Sequence, residues 1–219
     1  MPFDFTARPP RPRKGDQLFR SDVPDEAGGN TRLGSNPDAY TRGYRHAAEQ
    51  LSQYALAHQR DCGPLAYPIV FLYRHHIELA LKRIIFCVPW VLRRGLTDQE
   101  KKNLGNHRLD MLWADLEPIF ESICEAVGWD KPEADDLEGM HEYVRQLSAV
   151  DPLSTNFRYW KSKKGKPSLP ASLGSFNIRH FSEMMGRLAD FIEALDAATT
   201  EAGEVRDDLD DAYSVDDAY

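Results

Sequence analysis

Apolar residues recur at intervals of three and four along most of the chain, and breaks in that repeat divide it into separate helices. Tyr40, Tyr44, Ala47, Leu51, Tyr54 and Ala55 set the first, opened at Asp38 behind Asn36 and Pro37 and running to about Arg60. Gly63 and Pro64 interrupt the pattern. A second helix, Pro68 to Phe86, is apolar on most sides, and Pro89 closes it. Thr97 to Asn106 reads as a polar linker. Leu109, Leu112, Trp113, Leu116, Ile119, Phe120, Ile123 and Val127 then mark a third helix, which Pro118 should kink or divide. Leu137, Met140, Val144 and Leu147 predict a shorter fourth. The segment from Asp151 to Pro170 carries no helical period and reads as a loop. Ile178 to Leu195 is amphipathic, with Asn177 or Ser175 available as its N-cap. No period-two pattern argues for strands. The fold class predicted is all-α, a mostly antiparallel bundle of about five core helices.

Both ends differ in character from this middle. Residues 1–36 are rich in Pro, Arg and Gly with little apolar periodicity, which predicts a flexible extension ahead of a helical domain at 37–200. Residues 201–219 hold eight acidic side chains against Arg206 alone, nearly all of the formal net charge of −8, and predict a disordered acidic tail. The body is therefore close to neutral, which leaves room for local basic patches and a nucleic-acid partner. No stretch is long and apolar enough for a membrane span, so a cytoplasmic protein is expected. Cys62, Cys87 and Cys124 are widely spaced, and no HxH, HExxH or CxxC spacing suggests a metal; no cofactor is expected.

The second helix carries an anomaly. Arg74, His75, Glu78 and Lys82 fall within about a quarter of its circumference, at roughly 100° per residue. Charged groups on a core helix are costly unless paired or used. Arg74–Glu78 and Glu78–Lys82 are i,i+4 pairs that can close a ladder, with His107 and Asp110 joining a polar network that fixes helix register. The alternative is chemical: a histidine that moves a proton beside cations that stabilise charge building on a phosphate.

A second constellation lies in the long loop. Phe157, Arg158, Tyr159, Trp160, Lys161, Lys163, Lys164 and Lys166 mix cations for phosphates with rings for unpaired bases. A solvated lysine turn anchored by its aromatics would look the same. The stripe of Phe181, Met184, Met185, Leu188 and Phe191 on the last helix can serve the core or a dimer seam.

The string IELALKRII (Ile77 to Ile85), the later His107-Arg-Leu-Asp-Met-Leu-Trp and the loop Asn156-Phe-Arg-Tyr-Trp160 resemble, in this order, motifs of the HEPN superfamily. Glu78 and Lys82 match its E-x-x-x-K core, and His107, Leu109 and Leu112 its His-x-Leu-x-x-Leu pattern. Trp160 stands where the family's loop usually has proline. The resemblance implies a helical bundle, often a homodimer, that binds or cleaves RNA without metal in anti-phage or toxin–antitoxin systems. It also admits inert modules that recruit a partner protein, here through the two termini. The Arg-x4-6-His pair of the active members does not occur in this chain. If the chain cleaves RNA, Arg74, His75 and Glu78 are the expected catalytic residues. Arg158, Tyr159, Trp160, Lys161, Lys163 and Lys164 are the expected RNA-binding residues, with Lys82, His107 and Asp110 structural.

Overall fold

The computed structural model describes Gly34 and residues 36–216, with side chains as far as Asp210. The 1–36 extension otherwise lies outside the described residues. Among these the chain is helical with no strand: α1 Pro37–Ala57, α2 Cys62–Phe86, α3 Val88–Val91, α4 Asp98–Leu104, α5 Leu109–Val127, α6 Ala134–Val150 and α7 Ile178–Asp216. None of these helices is long and apolar enough to cross a membrane.

α2 sits at the centre, packed by α1, α5 and α7. Its Ile69, Ile77, Leu81, Ile84 and Ile85 are fully buried. Each such side chain contributes about 1.5–3 kcal/mol relative to exposure. α5 adds Leu109, Leu112, Leu116 and Ile123, and α7 adds Leu188, Ala189 and Ile192 to the same core. Met185 and Leu188 are thus spent on internal packing, while Phe181 and Phe191 are half-buried against it.

Several boundaries differ from the sequence reading, each for a local reason. α2 begins at Cys62, so Gly63 and Pro64 lie in its first turn. The first four N–H groups of a helix have no intrahelical partner, so a proline there loses nothing. Pro118 does not divide α5. It deprives the Ala114 carbonyl of its usual donor, but both residues are exposed, so water can take that role. The expected linker at 97–106 is instead α4. Thr97 Oγ1 accepts the Glu100 N–H at 3.2 Å and Glu100 Oε2 accepts the Thr97 N–H at 2.7 Å, a reciprocal capping box. Asn103 donates to Asp115 Oδ2 at 2.8 Å and ties α4 to α5. Its two buried polar side chains, Glu100 and Asn103, are thus satisfied within the protein.

The largest departure concerns the acidic segment. The disordered tail expected from residue 201 is, as far as Asp216, a continuation of α7, with residues 217–219 outside the described set. Ala202 is fully buried, and Gly203 faces the Trp90 ring of α3 so closely that a Cβ would stand 2.5 Å from ring atoms. Trp90 Nε1 donates to Asp207 at 3.0 Å, and Arg93 donates to Asp207 and Asp210 at 2.6 and 2.8 Å. Asp207 and Asp210 thus stand on a helix and are partnered by arginines and an indole.

Candidate functional site

The polar stripe of α2 meets the start of α5 and the loop after α6. Arg74 lies at its inner end with no exposed surface. It donates from Nε to the Asp151 carbonyl at 3.0 Å, from Nη2 to the His107 carbonyl at 2.6 Å and from Nη1 to Glu78 Oε2 at 3.2 Å. One guanidinium therefore joins three segments, the planar fork geometry for which arginine is suited. Glu78 is 1% exposed, and its Oε1 accepts from Lys82 Nζ at 2.9 Å and from His107 Nδ1 at 2.8 Å. That contact places the His107 proton on Nδ1. Burial pushes the Glu78 carboxyl up, but the Lys82 and His107 hydrogen bonds outweigh it and hold the group below the usual carboxylate range.

Two of the three residues expected to be catalytic are thereby engaged with protein partners in the interior. Arg74 and Glu78 are sealed, so neither meets a substrate phosphate in this arrangement. His75 is half-buried, edge-on to Tyr44 at 4.4 Å and stacked with Phe71 at 5.6 Å. Burial holds its imidazole below the ordinary histidine range, opposed by Glu78 and reinforced by the charges of His107, Lys82 and Arg158. Asp110, expected in the network, instead pairs with Arg108 two residues away. Lys82 and His107 do belong to it, with the His107 side chain 53% exposed.

Asp151 was not legible as a member. As the C-cap of α6, it accepts the Thr155 and Asn156 N–H groups on Oδ1 at 2.7 and 3.0 Å, while Asn156 Nδ2 donates to the Val150 carbonyl at 2.6 Å. This pinned turn fixes the direction of the following loop. Phe157 is buried, and Arg158 donates to the Ser154 carbonyl and lies over Phe71, 5.5 Å from the ring centroid. A continuous path runs from Arg158 through Phe71 and His75 to Tyr44. The exposed edge of the network is therefore His107, with Lys82 half-buried beside it, and Arg158 stands exposed at the other end of the Phe71–His75–Tyr44 path.

Beyond Arg158 the loop is ordered by its own backbone. Lys161 and Pro167 form a bridge, Ser162 N donates to the Lys166 carbonyl at 2.8 Å, and Gly165 N to the Ser162 carbonyl at 2.9 Å. Gly165 has φ 76°, a conformation that glycine adopts without strain. Lys161, Lys163, Lys164 and Lys166 are all exposed. Tyr159 is exposed and Trp160 is 82% exposed, with Lys161 Nζ 4.3 Å from the Trp160 ring centroid. A large indole held out in water beside the Lys161 ammonium, with three more exposed lysines in the same loop, suits contact with a stacked base and its phosphates.

Comparison with protein-family models, with curated proteins and with solved structures gives no significant match.

Proposed function

We propose that this chain is a HEPN-like RNA-binding protein of the prokaryotic anti-phage or toxin–antitoxin type, acting in the cytoplasm as a homodimer. The observation that carries the RNA reading is that Arg158 belongs to two features at once. It lies over Phe71, which stacks on His75 of the polar stripe, and it begins the ordered loop that presents Tyr159, Trp160 and four lysines. The lysines supply the sequence-independent attraction to phosphates, and the rings supply base stacking. The motif order from Glu78 to Trp160 supports the family.

Cleavage is a second reading, favoured by two imidazoles beside two cations. His75 and His107 would exchange protons with the attacking hydroxyl and the leaving oxygen, while Lys82 and Arg158 would balance charge on the phosphate. Arg74 and Glu78 would hold these groups in place without touching RNA. A partner-recruiting module without chemistry is the remaining alternative, and the sealing of Arg74 and Glu78 supports it.

A labelled single-stranded RNA titrated with the full chain, in chelator, separates these readings. The RNA-binding proposal expects saturable binding weakened by added salt, and absence of binding would reject it. If cutting accompanies binding, His107→Ala should slow it by about 10²–10⁴-fold with binding retained.

A further inference from the structure

On the far side of Arg74 from the exposed edge, α2, α6, α7 and the 151–177 loop enclose a cavity of about 230 Å³. Its walls are apolar, from Leu147, Phe157, Phe176, Phe181 and Met184, and Gln146 and His180 stand exposed at its mouth. Its inner end is polar, formed by Arg74 and Asp151, which are 0% and 1% exposed. Every Arg74 nitrogen is committed to the protein, whereas Asp151 divides its oxygens unequally. Oδ1 takes two backbone N–H groups, but Oδ2 is buried and accepts no hydrogen bond, with Arg74 Nε 3.7 Å away. Leaving a buried carboxylate oxygen without a donor is unfavourable, and a ligand supplying that donor would relieve the cost.

The charge of such a ligand follows from its surroundings. Arg74 and Lys82 are balanced by Glu78 and Asp151, so a buried cation would add an uncompensated charge and an anion would face the Asp151 carboxylate. The volume lies below the usual range of about 300–1,000 Å³ for drug-sized ligands. We infer that this cavity is a binding site for a small neutral aromatic molecule that donates one N–H to Asp151 Oδ2. The site is independent of the RNA reading, since none of its walls belongs to the lysine tip.

Indole is a suitable probe, with 1-methylindole as the same shape lacking the donor. In the full chain carrying ¹³C-methyl methionine, indole should give saturable shifts of the Met184 and Met185 methyl signals. 1-Methylindole should bind about tenfold more weakly. Met184→Trp, which fills the cavity, should abolish the shifts on the remaining Met185 signal. Absence of saturable shifts, equal affinity for the two probes, or undiminished binding by a folded Met184→Trp variant would each overturn the inference. Because Asp151 also holds the loop backbone, changing the ligand rather than Asp151 keeps the test clear of misfolding.

Discussion

Glu78 Oε1 and His107 Nδ1 lie 2.8 Å apart, joining the middle of α2 to the segment just ahead of α5 across 29 positions of sequence. The same carboxylate binds Lys82 and Arg74, so it is the only anion that meets all three donors of this cluster among the described residues. Glu78→Gln keeps the shape but leaves buried positive charge uncompensated. It should cost about 3–5 kcal/mol in urea unfolding. A loss under about 1 kcal/mol would show that the network does not organise the bundle.

The contact between Gly203 and Trp90 makes a second prediction. Gly203→Ala forces a methyl to within 2.5 Å of the indole and should destabilise the protein by about 1–3 kcal/mol, despite alanine's better helix propensity. Combining it with Trp90→Leu should give less than the sum of the two single effects, since both act on one contact. Additive losses in a denaturation cycle would place Trp90 away from α7.

Acidification should weaken the fold in two steps of the same sign. His76 is fully buried, with Nδ1 3.0 Å from the Thr41 carbonyl and Glu193 Oε1 3.9 Å from Nε2. Burial lowers its titration, opposed by the Thr41 hydrogen bond and Glu193, reinforced by Arg45 and opposed again by Glu49. The unfolded chain therefore takes up this proton first, so stability present above about pH 6.5 falls as pH drops below that value. Glu78, also lowered, contributes stability above its unfolded value near pH 4.5 that is lost as pH falls through its folded one. Melting temperature measured from pH 8 to pH 3 should decline in both windows. His76→Gln should reduce the decline in the upper window, leaving the share of His75, whose titration burial also lowers, and an unaltered profile in that variant would contradict the assignment to His76.

The helices built on a long apolar repeat were legible because periodicity reports burial directly, and α2, α5 and α7 follow it. α4 was not, although Thr97-x-x-Glu100 spells its cap, because its residues are polar and its stability comes from Arg94–Glu100 and Asn103–Asp115 contacts rather than from an apolar face. The acidic part of α7 was hidden for a similar reason: its charge count suggested a chain in water, whereas Trp90 and Arg93 wait 114 to 117 residues earlier to receive it. At the site, the spacing of Arg74, Glu78 and Lys82 announced a ladder. Asp151 and the His107 carbonyl left no sequence signal, because one sits at a helix end and the other is backbone. Arg74 is sealed and Arg158 exposed, a difference of burial that one helical stripe cannot reveal.

The most direct measurement is the affinity of a single-stranded RNA for the wild-type chain, Lys163→Glu/Lys164→Glu and Trp160→Ala across a range of salt. All three changes are on exposed side chains, so melting should stay within about 0.5 kcal/mol of the wild type. The wild type should lose affinity steadily as salt rises. The double variant should bind more weakly with a log–log slope shallower by about one to two, and Trp160→Ala should lose about 1–3 kcal/mol of binding. Salt-independent binding, or three proteins that bind RNA alike, would contradict an RNA site on this loop.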